Sequence, residues 1–172
     1  MESAAIFTQA LGFEQEIRDL YRTAESMVDD ERGKAIFRNL ADDEQSHIDF
    51  LEAGLKTLEK NGTIDTSLLT TKIPDIKVMQ SKIEQMKTRI PERMLGDIKS
   101  VLSSAFKMEV ETTEFYKNAY DNTEGEIKKV MGKFVEIEQR HTDVVRIELD
   151  HASHNGFWFN FMELSMEEGW HE

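Results

Sequence analysis

The chain has 172 residues, 39% hydrophobic and 32% charged, enough for one domain with a proper core and highly charged outer faces. It contains no cysteine, which excludes disulfides, zinc knuckles, iron–sulfur clusters and thiol nucleophiles; any metal must be held by Glu, Asp, His or water. A formal net charge of −13 argues against nucleic acid as a partner, because a phosphate backbone attracts Lys and Arg.

No apolar run approaches the roughly 18 residues of a membrane span. The start, "MESAAIFTQALGFEQE", lacks the basic and apolar regions of a signal peptide, so a cytoplasmic protein with no membrane partner is expected. From Ser3 to Asp29, Ile6, Ala10, Phe13, Ile17, Leu20 and Ala24 recur at three- and four-residue spacing and predict the first helix. "DDERG" reads as a tight connection. A second helix follows over Gly33 to Glu59, with Ile36, Phe37, Leu40, Ile48, Leu51, Leu55 and Leu58 inward and "KNG" as its stop signal.

The third long helix is expected over Asp97 to Tyr120, with Val101, Ala105, Met108, Phe115 and Ala119 inward. "YDNTEGE" is the next turn, where Thr123 and Glu126 have the spacing of a capping box. A fourth helix then runs to about Ala152. Between the second and third lies a long crossover, about residues 61–96, in which Ile76, Met79, Ile83, Met86 and Ile90 predict a short amphipathic helix. Short turn, long crossover, short turn is an all-α four-helix-bundle layout. The bundle is assigned to residues 1–155. The aromatic tail 156–172, with Phe157, Trp158, Phe159, Phe161 and Trp170, belongs to the same domain as a cap over the bundle end or as a dimer contact.

The two halves of the chain repeat. "ALGFEQEIRDLYRTAE" from Ala10 aligns with "AFKMEVETTEFYKNAY" from Ala105, matching Glu14 to Glu109 and Tyr21 to Tyr116. "ADDEQSH" then aligns with "VEIEQRH", matching Glu44 to Glu138 and His47 to His141. Glu14 lies within a turn of Ala10, Phe13 and Ile17, and Glu109 lies beside Met108 and Ala105. Glu44 and Glu138 fall four residues after Leu40 and Phe134, and the two histidines follow one turn later on the same faces.

A bundle core thus receives four carboxylates and two imidazoles at one level. Buried charges are costly unless they are paired or bound to metal. With no Lys or Arg in register, two cations compensate them most simply. Oxygen-rich donors with one imidazole per metal favour iron or manganese, with zinc as a substitute. A lone Glu-x-x-His is a weak signal. Glu148 and His151 form a third such pair without a repeat partner, and they are read as solvent-facing or terminal. Glu16, Glu111 and Glu114 are read as outer-face charges.

From about Ala10 to His151 the chain resembles the rubrerythrin-type branch of the ferritin-like superfamily, in helix order, crossover and ligand spacing. The resemblance implies two iron ions, with Glu14 and Glu109 as ligands, Glu44 and Glu138 as bridges, and His47 and His141 as nitrogen ligands. It casts Tyr21 and Tyr116 as hydrogen-bond donors to ligand carboxylates; a plain core tyrosine is the alternative. It also implies a homodimer. Two departures stand out. There is no four-cysteine rubredoxin domain, so electrons are expected from a separate donor such as a rubredoxin-like protein. Thr112 occupies the place where peroxidase-type relatives carry a further Glu. The expected function is reduction of hydrogen peroxide or dioxygen, or oxidation of ferrous iron. The alternative is a non-catalytic metal-binding or sensing bundle.

Overall fold

The computed structural model describes residues 2–168. Trp170, counted above with the aromatic tail, lies outside the described residues. Four long helices dominate: α1 (Ser3–Met27), α2 (Glu31–Glu59), α4 (Leu95–Asp121) and α5 (Gly125–Asn155). Each carries one apolar stripe, and helices of this length stay ordered only when such a stripe is buried against others. Pairing α1 with α2 and α4 with α5 through tight turns buries those stripes as two helical hairpins packed into one bundle. Close approach is possible near Gly54 because it has no side chain. A Cβ there would collide with the Phe7 ring.

The helix ends differ in part from expectation. Asp30 caps α2 by accepting from Gly33 N at 3.0 Å. At the α4–α5 turn no capping box forms. Thr123 Oγ1 donates to the Ala119 carbonyl, and Glu126 instead accepts from Ile64 N, tying the crossover to α5. The α5 helix ends at Gly156, whose φ of +70° is the left-handed turn that glycine accepts without strain.

The crossover is less helical than its periodicity predicted. Helix α3 covers only Ile76–Lys82; a 3₁₀ turn follows, and Lys87–Arg89 form strand β1. Strand β2 (Phe157–Phe159) pairs antiparallel with β1, Thr88 opposite Trp158, before helix α6 (Phe161–Glu168). Pairing with the tail satisfies backbone groups that a continued helix would have satisfied internally, and the partner lies seventy residues away, beyond the reach of local periodicity. Ile90 N donates to the Gly156 carbonyl and Asn160 N to the Met86 carbonyl, which extends the ribbon at both ends.

The tail is therefore a cap. Trp158, Phe159, Phe161 and Leu164 are buried against Phe37 and Tyr21 at one end of the bundle. Trp158 Nε1 donates to Asp30, the residue that caps α2. Glu148, read from the sequence as solvent-facing or terminal, is fully buried under this cap. Its Oε1 accepts from Phe159 N at 2.8 Å, and burial pushes its carboxyl well above the usual carboxylate range.

The core is split in two. One apolar cluster, with Ile17, Tyr21, Leu40, Leu102 and Val144, fills the capped end. A second, with Ile6, Ala10, Leu51, Tyr116 and Phe134, fills the other. The layer between them is polar.

Candidate metal centre

Each helix of the bundle places one or two polar side chains in that layer: Glu14 from α1, Glu44 and His47 from α2, Glu109 from α4, Glu138 and His141 from α5. All six are fully buried. On α2 and α5 the three-residue step brings carboxylate and imidazole onto one face. On α1 and α4 the acid replaces an apolar residue in the middle of the stripe.

The six form two overlapping sets. Glu14, Glu44, Glu138 and His47 bring one ligand atom each within 4.8 Å of one another. Glu44, Glu109, Glu138 and His141 do the same. Glu44 and Glu138 belong to both. His47 Nδ1 lies 3.9 Å from Glu14, 3.8 Å from Glu44 and 3.8 Å from Glu138. His141 Nδ1 lies 2.6 Å from Glu44 and 3.4 Å from Glu109.

On Glu14, Glu109, His47 and His141 outer partners hold one atom and leave the other to the layer. Tyr21 Oη donates to Glu109 Oε1 and Tyr116 Oη to Glu14 Oε1, both at 2.8 Å, so each tyrosine of one half reaches the acid of the other. Glu14 Oε2, Glu109 Oε2, both oxygens of Glu44 and of Glu138, and Nδ1 of both histidines are buried without an oriented hydrogen bond, although His141 Nδ1 and Glu44 Oε1 face each other as an ion pair at 2.6 Å. Native interiors rarely leave a polar group unsatisfied. Eight such atoms in one layer make a set that two cations sharing two carboxylates would satisfy. The residues fit a di-metal group.

Electrostatics agree. Burial first, then the charge of Glu44, holds Glu14 well above the usual carboxylate range. Burial, then the charges of Glu14, Glu44 and Glu109, does the same to Glu138. Glu44 is also raised, chiefly by burial. Burial alone would lower His141, but Glu44, Glu109 and the hydrogen bond to Asp43 raise it well above an ordinary histidine. Burial works against Glu109 too, yet the neighbouring His141 leaves it below its usual value. The metal-free layer thus retains protons that bound cations would displace.

Asp43 escaped the sequence analysis. Its Oδ2 accepts from His141 Nε2 at 2.6 Å and lies 3.7 Å from His47 Nε2, while His47 Nε2 itself donates to the Thr70 carbonyl at 3.1 Å. Asp43 also accepts from Thr71 Oγ1 and Lys72 N, which pins the crossover to the layer. Despite burial, the hydrogen bond from His141 holds its carboxyl far below the usual range. In the internal repeat its counterpart is Ile137, so symmetry pointed away from it. The signal available was an acid immediately preceding Glu44. Asp43→Asn should weaken metal binding about 10–100-fold by loosening the orientation of His141, measured by competition against a chromophoric chelator. Unchanged affinity would show that the His141 ring is fixed by packing alone.

Other expectations were met in part. Glu16, Glu111 and Glu114 are exposed. Thr112 is buried, its hydroxyl donating to the Met108 carbonyl, and it brings no carboxylate to the layer.

Four antiparallel helices around a buried layer of four glutamates and two histidines define a ferritin-like bundle with a candidate di-metal centre. The rubrerythrin family model matches residues 6–146, and the chain belongs to that family. No curated protein and no solved structure matches it. No helix among the described residues is long and apolar enough to cross a membrane.

Proposed function

We propose that the protein is a di-iron oxidoreductase that reduces hydrogen peroxide or dioxygen with electrons from a separate donor, in oxidative-stress defence or iron handling. The observation that carries this reading is the set of eight buried atoms without an oriented hydrogen bond, in two groups sharing Glu44 and Glu138. Glu14, Glu44, Glu138 and His47 would hold one ion, and Glu44, Glu109, Glu138 and His141 the other, with manganese or zinc as substitutes. The bound pair supplies two one-electron redox centres at one place, which suits a two-electron oxidant.

The chain's own residues prepare that place. Tyr116 and Tyr21 each occupy one oxygen of Glu14 and Glu109, leaving the other to ligate. Asp43 holds Nε2 of His141, so Nδ1 faces the layer. The raised proton affinity of His141 would keep its ring doubly protonated without metal, and ligation through Nδ1 would displace that proton. Apolar clusters above and below exclude water, which strengthens every charge interaction within.

Protein produced in iron-supplemented medium should carry about two metal ions per chain, and its ferrous form should be oxidised by peroxide or dioxygen in stopped-flow absorption. A content below about half an ion per chain would remove the metal reading. The structure also offers a specific reason to keep a non-catalytic metal-binding role in view, since Thr112 supplies no further carboxylate. Two bound ions that neither oxidant touches would establish that role instead.

A further inference from the structure

We propose that a lysine-lined groove at the turn between α4 and α5 is the docking surface for an acidic electron-transfer protein, the donor that the proposed function requires. The groove has a volume of about 970 Å³ and lies between the end of α4 and the first turns of α5. Four of the chain's 21 Lys and Arg residues line it: Lys117, Lys128, Lys129 and Lys133. Asp121 and Glu136 oppose them in the lining, and Glu114 lies 3.6 Å from Lys117 at its edge, which leaves the lysines in excess. In a chain of net charge −13 this is a local reversal of sign.

That reversal selects the partner. An acidic protein is repelled by most of this surface, so a basic concavity steers where and in which orientation it docks. The groove is also built to present its charges. Lys128 Nζ donates to the Tyr120 carbonyl and sits 4.1 Å above the centre of that tyrosine's ring. Lys133 Nζ donates to the Thr66 carbonyl, and each ammonium keeps further N–H groups for a partner. Lys129 is exposed and meets no acceptor among the described residues. The exposed Tyr120 ring packs over Gly132, where an added Cβ would lie 3.0 Å from Cε2. An aromatic anchor within a charged rim is the composition of a binding hot spot.

The position within the fold argues for electron delivery. Behind the groove wall at Gly132 and Val135 stands Phe134, which stacks on Tyr116 with ring centres 4.4 Å apart and planes 1° from parallel. The Tyr116 hydroxyl donates to Glu14. The α5 backbone at Val135, the stacked Phe134 and Tyr116 rings and the hydrogen bond to Glu14 therefore link the groove to the carboxylate layer. The repeat supplies a second tyrosine, Tyr21, but that end is closed by Phe37, Trp158 and the rest of the C-terminal cap. Of the two related routes, one lies under the C-terminal cap and the other lies one α5 residue behind the lysine groove. In turnover, two reduced donors would dock in succession and each lose one electron; with two protons, these convert one hydrogen peroxide to two waters.

The test uses the full chain and a rubredoxin of net negative charge. Titration of zinc-substituted, redox-inert rubredoxin into the isotope-labelled protein should shift the amide signals of Tyr120, Lys129 and Gly132, with affinity falling as salt rises. Lys117→Glu with Lys129→Glu should weaken binding about tenfold at low salt and slow reoxidation of reduced rubredoxin in parallel. Lys77→Glu with Lys107→Glu, the same change of net charge outside the groove, should do neither. The ferrous form of the groove variant should still be oxidised by peroxide at the wild-type rate in the absence of donor. Equal losses in both double variants, shifts confined to another face, or no binding would overturn the inference. So would inorganic phosphate binding in the groove while rubredoxin does not. Failure of the ferrous wild type to oxidise would instead overturn the proposed function, while the binding measurement still decides the docking surface.

Discussion

Stripping the metal should lower the thermal midpoint at pH 7 by roughly 8–16 °C. A ligand present at a thousand times its dissociation constant stabilises the folded state by about 4 kcal/mol. For a chain of this size each kcal/mol moves the midpoint by roughly 2–4 °C. The gap should also widen with pH, because the metal-free layer is weakened by alkali. Glu14 and Glu138 bind protons more tightly folded than unfolded. Their contribution is intact below the unfolded carboxylate value and is lost as pH rises through their raised folded values. His141 is likewise raised, so its contribution is intact below the ordinary histidine value and is lost as pH rises through the folded one. Asp43 and Glu109 have the opposite sign and lose theirs only as pH falls through depressed values. From mildly acid to mildly alkaline solution the first three dominate the change. Metal binding displaces those protons, so the loaded form gains affinity over the same range. Calorimetry of loaded and chelator-stripped protein at pH 5.5 and 8 gives the answer; equal gaps at both values would contradict the protonation scheme.

The second large effect is a stability gain from destroying the centre. Glu138→Gln should stabilise the metal-free protein at neutral pH, because an amide carries neither the charge that burial penalises nor the proton that the raised carboxyl must take up from solution. About 1–4 kcal/mol is the scale known for replacing buried ion pairs by uncharged residues. Both oxygens of Glu138 lack a hydrogen-bond partner, and three other acids crowd it. A glutamine amide there offers donors toward Glu14 and Glu44, whose ligand atoms lie within 4.8 Å of its own. The same change removes a carboxylate common to both sets, so metal content should fall from two ions to one or none. Glu109→Gln is the control with the opposite sign. His141 already favours the charged form of Glu109, and losing that charge should destabilise the metal-free fold. Urea unfolding of the stripped variants measures both. Destabilisation by Glu138→Gln as well would mean that its carboxylate is compensated without metal.

Much of the centre is legible in the amino-acid sequence. The positions of Glu14, Glu44, His47, Glu109, Glu138 and His141 follow from helical spacing, because a side chain's face on a long helix depends only on its neighbours three and four residues away. Burial of four acids is readable from the apolar residues on either side of each. The repeat then doubles a weak motif into a matched pair. Where the expectations failed, the deciding contact was distant. The amphipathic pattern from Ile76 to Ile90 is real, yet β1 forms within it because β2 arrives to pair with it. Glu148 is polar in an outward-looking context, yet the returning tail covers it. Thr123 and Glu126 have capping-box spacing, but each found a different partner, one of them in the crossover.

The residues of the centre were thus determined by the sequence itself, since intrahelical geometry is local and repeats regularly. Which atom of Glu14, Glu109, His47 and His141 is left to the layer was decided only by the tertiary structure. The crossed tyrosine bonds, the Asp43–His141 pair and the Thr70 carbonyl on His47 join segments far apart in the chain. The groove beyond one tyrosine and the cap over the other belong to the same level. Both depend on where the crossover and tail come to rest, which is set by packing between surfaces that no local period encodes.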